Sequence, residues 1–235
     1  MFKFSIITVN YNNFQGLQKT FKSIQNQTFL NFEFIVIDGG SNDGSQEFII
    51  LNSKNISYWV SEKDNGVYHA MNKGLKVATG DYCIFLNSGD YFYESSVLGK
   101  VSSLIKYDAV FVYGLIEWET TKQLWNPKRD LKDYEMAFQS LIPHQACFFK
   151  TELLNKMGGY KEKYKVISDW GLMLEILKNE HQTQKIELII SICENQGISS
   201  SLVHLIRKER FDYLKKYAFT TYIKGYLFKL KHYLS

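Results

Sequence analysis

A chain of 235 residues, 45% hydrophobic and 22% charged, is long enough to bury a large core, and that composition excludes a disordered protein. The formal charge is +4, and no apolar run approaches the roughly 18 residues that a membrane span requires. Cys83, Cys147 and Cys193 are too few and too scattered for a disulfide framework or a zinc pattern, and they read as buried free thiols of a reducing compartment.

The amino terminus, Met1-Phe2-Lys3-Phe4-Ser5, runs straight into a strand with no signal peptide. Phe4 to Val9 is β-rich, and a helix follows with Phe14, Leu17, Phe21 and Ile24 on one stripe. Phe32 to Ile37 is a second strand, ending at Asp38. The loop from Gly39 to Gly44 opens a helix through about Leu51, and Ile56 to Val60 reads as a third strand. A helix around Met71, Leu75 and Ala78 stops at Gly80-Asp81. Five bulky apolar residues, Tyr82-Cys83-Ile84-Phe85-Leu86, then read as a buried strand of a parallel sheet. This alternation predicts an α/β fold with a Rossmann-like, mostly parallel central sheet and helices on both faces.

After Tyr91 the pattern loosens. Ser96 to Ile105 reads as a helix and Ala109 to Tyr113 as a strand. Leu115 to Asn126, with Trp118 and Trp125, is strand-like or irregular. Gln145 to Phe149 reads as another strand, and a helix from Glu152 ends at Gly158-Gly159. Ser168 reads as the N-cap of a helix reaching about Lys178. From Leu205 onward there are eight Lys or Arg against two acids, interleaved with aromatic residues. This C-terminal helical extension reads as a basic amphipathic tail for a membrane surface, with a homodimer helix or a solvated face as its rivals. Nucleic acid is not expected, since no binding motif accompanies the charge. The chain divides at 1–95, 96–204 and 205–235.

Polar residues gather at the strand ends. Thr8, Asn10 and Tyr11 close the first strand and Asp38 the second, while Asn87, Ser88, Gly89 and Asp90 follow the strand that ends at Leu86. Open α/β sheets bind ligands there. A carboxylate such as Asp38 can accept from nucleoside donors, and Tyr11 can stack on a base. One carboxylate among small residues suits a hydrated divalent cation shared with phosphate. Many of these residue types are also turn formers. The loop 39–44 lacks both dinucleotide and P-loop spacing and reads as turn and capping chemistry. Asn72 flanks core-facing Met71, which lets its amide reach the same crevice. Tyr68, Trp118, Trp125 and Trp170 offer either an apolar platform or core packing.

Taken together, several segments resemble family 2 glycosyltransferases, the inverting, nucleotide-sugar-dependent class with the GT-A fold. They are Phe4-Ser5-Ile6-Ile7-Thr8-Val9-Asn10-Tyr11-Asn12, Phe34-Ile35-Val36-Ile37-Asp38-Gly39-Gly40-Ser41-Asn42-Asp43-Gly44-Ser45, Ser61-Glu62-Lys63-Asp64-Asn65-Gly66, Ala70-Met71-Asn72-Lys73-Gly74, Thr79-Gly80-Asp81-Tyr82 and Phe85-Leu86-Asn87-Ser88-Gly89-Asp90. They cover residues 4–94 in order. Pro143-His144-Gln145, Ser168-Asp169-Trp170 and Gly197-Ile198-Ser199-Ser200 resemble the bacterial surface-polysaccharide branch. The resemblance implies donor binding by Thr8, Asn10, Tyr11, Asp38, Asp64, Asn72, Asn87 and Ser88 in residues 1–95. It implies acceptor contacts from His144, Gln145, Tyr68 and Trp170, largely in 96–204, and Asp169 as catalytic base.

The family's usual metal motif is Asp-any-Asp, and here Asn87 and Gly89 stand at those places. Asp90 is the remaining ligand for a weakly bound divalent cation, Mn²⁺ or Mg²⁺. The implied activity moves a sugar, UDP-hexose or UDP-N-acetylhexosamine being the expected donor, to a saccharide or lipid-linked oligosaccharide. It belongs to capsule, O-antigen or exopolysaccharide synthesis, in the cytoplasm at the inner membrane face. Two alternatives stay open. One is a catalytically silent nucleotide- or glycan-binding subunit. The other, a sugar nucleotidyltransferase, needs a Gly-rich loop that Thr8 to Asn12 lacks.

Overall fold

The computed structural model describes residues 2–106, 108–126, 142–179, 181–194, 202–220 and 223. The Gly197-Ile198-Ser199-Ser200 motif and the tail from 224 onward lie outside the described residues.

Among the described residues, one nine-stranded sheet runs through both of the first two segments. Its first half is parallel and built from β1 (Phe4–Asn10), β2 (Phe32–Asp38), β3 (Tyr58–Ser61) and β4 (Tyr82–Phe85), in the order β3-β2-β1-β4. β4 then pairs antiparallel with β8 (Cys147–Lys150), and β8 with β6 (Phe111–Trp118). β6 runs parallel to β9 (Thr183–Cys193), which carries the two-residue β5 (Tyr91–Phe92) on its outer edge. A second short strand, β7 (Leu124–Trp125), pairs with β6.

The sheet is covered on both faces, which is why its central strands are apolar without alternation. Phe4 and Ile6 of β1 and Phe34 and Val36 of β2 pack with Leu17 and Ile24 of α1 (Phe14–Gln25). Ile7, Val9, Ile35 and Ile37 pack on the opposite face with Met71 and Leu75 of α3 (Val67–Val77). α2 (Ser45–Leu51) and α4 (Val97–Leu104) join the first layer through Ile49, Val97, Leu98 and Val101. The second layer is completed by α5 (Thr151–Lys156), α6 (Ser168–Lys178) and α7 (Val203–Tyr217), through Leu154, Trp170, Met173, Tyr213 and Leu214. Cys83, Cys147 and Cys193 are buried free thiols, as expected.

Three local expectations are corrected. The strand expected from Gln145 begins only at Cys147, because His144–Ala146 forms a 3₁₀ turn after Pro143. Ser168 does not cap α6. It is the first helical residue, and its Oγ accepts from the Lys161 backbone N–H at 2.5 Å. The strand Thr183–Cys193 has no counterpart among the elements expected from sequence, although Ile186 to Cys193 is rich in β-branched residues.

Candidate active site

The β1–β2–β3 register aligns Asn10 with Asp38 and Asp38 with Ser61, so three polar residues share the carboxyl edge of the sheet. The Asp38 carboxylate is fully buried and takes bonds from Asn10 Nδ2 (2.7 Å), Ser41 Oγ (2.6 Å), the Ser41 backbone N–H (2.9 Å) and Ser61 Oγ (2.5 Å). Burial alone would raise its pKa. These donors outweigh that effect and hold it below the usual carboxylate range. Tyr11, next after Asn10, is 69% exposed at this rim beside Gly39. Thr8 lies inside β1, fully buried. The loop 39–44 makes turns, as its sequence suggested: Asp43 accepts from the backbone N–H groups of Phe14 and Ser45. Asp64 also stands near Gly39, paired with Lys73 Nζ at 2.6 Å and His69 Nδ1 at 2.9 Å.

After β4 the chain turns through Asn87, Ser88, Gly89 and Asp90. Ser88 ties this turn to the first strand: its N–H donates to Val9 O, and its carbonyl accepts from Asn13 Nδ2. Asp90 is 7% exposed, and burial pushes its carboxyl up to about 6 even though Gln145 Nε2 donates to it at 2.9 Å. Four buried polar atoms along these strands and the turn after β4, Thr8 Oγ1, Asn10 Oδ1, Asn87 Oδ1 and Ser88 Oγ, have no partner among the described residues. Buried polar atoms are normally satisfied, so such a group marks where a ligand's own polar atoms belong.

The 3₁₀ turn joins this edge to the second half of the chain. His144 Nε2 lies 3.3 Å from Asn87 Nδ2, and its Nδ1 lies 3.2 Å from Asp169 Oδ2. With the amide donating to Nε2, the imidazole proton sits on Nδ1 and points at Asp169. The other oxygen of Asp169 accepts from Tyr68 Oη at 2.9 Å and from the Trp170 backbone N–H at 2.9 Å. Asp169 stands in the first turn of α6. Burial works against its charge, but His144, Trp170 and Tyr68 prevail and keep its pKa depressed. It is an ionised carboxylate in a nearly closed setting, held by three donors.

Along this polar edge Asn10 and Asp38 form one hydrogen-bonded cluster, Asn87, His144 and Asp169 a second, and Gln145 and Asp90 a pair, with Ser88 tied to the first strand and Tyr11 and Asp64 near Gly39. Two expected participants stand outside it. The Asn72 amide is spent on the segment after α5: it donates to Tyr160 O and Glu162 Oε1, and it accepts from the Tyr160 N–H. Trp170 is fully buried, with the Arg210 guanidinium 5.1 Å from its ring centre and Tyr213 edge-on, so it packs in the core and is no platform for a sugar. Tyr68 is also buried and stacks on Tyr160, presenting only its hydroxyl to Asp169. Sequence reasoning missed the tie from α7 to this region. Arg210 lies close enough for the Asp169 charge to act on it. No short motif links the two.

This sheet order, with polar residues at the parallel edge and a buried carboxylate tied to them through His144, is that of the GT-A fold. The chain belongs to glycosyl transferase family 2, whose family model matches residues 5–179. A "PGL/p-HBAD biosynthesis glycosyltransferase" of Mycobacterium bovis (strain BCG / Pasteur 1173P2) is 30% identical over 207 residues, covering 85% of this chain and 80% of its own. An uncharacterized glycosyltransferase of Mycobacterium tuberculosis (strain H37Rv) is 32% identical over 175 residues, covering 72% of this chain and 67% of its own. Among solved structures, Staphylococcus aureus TarS 1–349 in complex with UDP-GlcNAc superposes with a TM-score of 0.71 at 17% identity. That match covers 83% of this chain but only 59% of TarS 1–349. The mannosyltransferase PcManGT of Pyrobaculum calidifontis, in complex with GDP-Man and Mn²⁺, gives 0.68 at 16% identity, covering 96% of this chain and 70% of that one. These structural likenesses establish the fold.

Among the described residues no three His, Cys, Asp or Glu side chains converge as a self-sufficient metal centre. A cation shared with a diphosphate needs fewer protein ligands than that. Asp90, beside the unpartnered oxygens Asn87 Oδ1 and Ser88 Oγ, has the hard-oxygen chemistry such an ion takes.

Proposed function

We propose that this glycosyltransferase works with inversion, moving a hexose or N-acetylhexosamine from a UDP-linked donor to a hydroxyl of a lipid-linked saccharide. The observation that carries the proposal is the Asn87–His144–Asp169 relay, which sets a buried, ionised carboxylate against the edge where the donor residues gather. The nucleoside falls to Asn10, Tyr11, Asp38 and Asp64. A UDP donor is consistent with the UDP-GlcNAc and UDP complexes of TarS, although PcManGT takes GDP-Man.

Chemically, Asp169 takes the proton of the acceptor hydroxyl as that oxygen bonds to the anomeric carbon. The bond from the anomeric carbon to the diphosphate breaks on the opposite face, and the configuration inverts. A divalent cation held by Asp90 and its neighbours would offset charge on the departing nucleotide. Tyr68 and the Trp170 N–H steady Oδ1, while His144 fixes Oδ2. A silent binding subunit has no need to bury a carboxylate under three donors, which favours the catalytic reading.

A place at the cytoplasmic membrane face, in capsule, O-antigen or related glycan synthesis, fits the outer side of α7. Phe211 is 54% exposed there, among Arg207, Lys208, Lys215 and Lys216, and Phe219, just beyond the helix, is 57% exposed. No helix among the described residues is long and apolar enough to cross a membrane. An anionic leaflet attracts such a face by about 1 kcal/mol per basic side chain.

The test is Asp169→Asn, assayed for UDP release with a panel of UDP-sugars and lipid-linked acceptors and for UDP binding by calorimetry. Loss of transfer by about 10²–10⁴-fold with UDP affinity intact is expected. Retained transfer removes Asp169 from the base role.

A further inference from the structure

We propose that Glu194 is a second carboxylate ligand of the divalent cation, reaching from the end of β9 into the space that Gly89 leaves without a side chain. The proposal rests on the donor and cation reading given above, and it names a residue that no motif of the sequence contains.

Gly89 stands where the family's metal motif carries its second acid. Its φ of +108° is strained for any residue with a side chain. Space forbids one as well. A Cβ on Gly89 would lie 3.0 Å from the carboxylate carbon of Glu194 and 3.1 and 3.2 Å from its two oxygens. The Glu194 carboxylate therefore lies against the backbone immediately before Asp90.

Strand pairing explains how it gets there. β5 and β9 are antiparallel, with Tyr91 opposite Ile192 and Phe92 opposite Ser191. Two further steps of the same register bring Glu194 opposite Gly89. The acid missing from the motif is thus supplied in space by a strand that the sequence places far downstream.

The donor set suits the ion. Asp90 and Glu194 offer hard carboxylate oxygens, and Asn87 Oδ1 and Ser88 Oγ, in the same turn as Asp90, are buried without partners among the described residues. Such a set leaves room for diphosphate oxygens and water, which Mg²⁺ and Mn²⁺ sites on nucleotides retain. Asp90 is nearly buried, whereas the Glu194 side chain is 45% exposed and lies near enough for its charge to act on Asp90. One cation already stands nearby. Lys19 Nζ lies 3.5 Å from Glu194 Oε1, but it is engaged more closely by Glu119, at 2.9 and 3.2 Å from its two oxygens. The alternative role for Glu194 is therefore a partner for Lys19, and the experiment separates the two.

Mn²⁺ binding to the full chain is read from the loss of the free-ion EPR signal, without nucleotide and with UDP. UDP affinity is measured in Mn²⁺ and in EDTA. The proteins are wild type, Glu194→Gln, Asp90→Asn and Lys19→Met, with thermal melts confirming that each is folded. Glu194→Gln is expected to weaken Mn²⁺ binding on the order of tenfold or more. It should also remove most of the Mn²⁺-dependent gain in UDP affinity and leave the affinity in EDTA unchanged. Lys19→Met should not weaken Mn²⁺ binding. Wild-type Mn²⁺ affinity in Glu194→Gln overturns the proposal, as does an equal loss in Lys19→Met. A wild type that binds no Mn²⁺ overturns it too. Failure of UDP to bind while Mn²⁺ still binds counts against the donor reading alone, because the free-ion signal needs no nucleotide.

Discussion

The Tyr68 hydroxyl donates to Asp169 Oδ1 at 2.9 Å, joining a helix of the amino-terminal half to the helix that carries the proposed base. Burial, reinforced by the Asp169 charge, pushes the phenol far above its ordinary range, so it stays a donor at every working pH. Tyr68→Phe removes one of three donors to Asp169. A hydrogen bond to a charged group contributes about 1.5–3 kcal/mol. We expect kcat to fall roughly tenfold and the acid limb of the pH–rate profile to move toward neutrality, with UDP affinity unchanged. An unmoved profile would reduce Tyr68 to packing.

The depressed pKa of Asp169 sets the sign of the pH dependence. The carboxylate is the working form, present above its folded-state pKa and lost as pH falls through it. That pKa lies below the usual carboxylate range, so protonation of the base leaves no acid limb in kcat near neutrality. An acid limb there that moves when Asp169 is replaced by Glu would contradict the observed donors. The same group contributes stability that is complete above the unfolded carboxylate pKa and disappears as acid protonates the folded form.

Asp38 couples binding to stability. Asp38→Asn replaces a buried charge by an amide that cannot accept from all of Asn10, Ser41 and Ser61. The cost should be about 1.5–3 kcal/mol. At roughly 2–4 °C per kcal/mol for a chain of this size, Tm falls by several degrees. UDP affinity should fall with it. A variant with wild-type Tm and UDP affinity would show that the network does neither job.

Gly171 is the contact point of α6 and α7. A Cβ there would lie 2.3 Å from Tyr213 Cε2, and the Tyr213 hydroxyl bonds to Gly171 O and to Glu175 Oε1. Gly171→Ala therefore forces the helices apart. We expect a loss of about 1–3 kcal/mol in denaturant unfolding and lower kcat through the displaced α6. An unchanged midpoint would mean that α7 is loosely seated.

The outer face of α7 is tested by Arg207→Glu with Phe211→Ser, side chains pointing away from that contact. Sedimentation with anionic vesicles should drop sharply in the double variant, more so at low salt, while transfer to a soluble acceptor is retained. Equal sedimentation would end the membrane proposal.

The first half of this fold was legible because its strands are buried on both faces and stop at polar residues. Phe4 to Asn10, Phe32 to Asp38 and Tyr82 to Phe85 announce themselves locally. Asn10, Asp38 and Asn87 were legible for the same reason, since a polar residue closing a buried strand serves either a turn or a ligand. What failed depended on packing between distant segments. Asn72 faces Tyr160, and Trp170 is covered by Arg210 and Tyr213 from a helix some forty residues later. β9 was not legible because it follows a helix without turn punctuation. With it went Glu194, whose position is set by the pairing of β9 with β5.

The inner side of α7 holds in place the helix that carries the proposed base. Glu209 accepts from the backbone N–H groups of Lys165 and Val166, and Tyr164 Oη donates to Asp212, so the strap leading into Asp169 hangs from this helix. A truncation at residue 204 would consequently not yield a soluble enzyme freed from its anchor. It would release the strap, unseat the proposed base and confuse lost attachment with lost chemistry. Any engineered soluble form has to keep α7 and repaint only its outward surface.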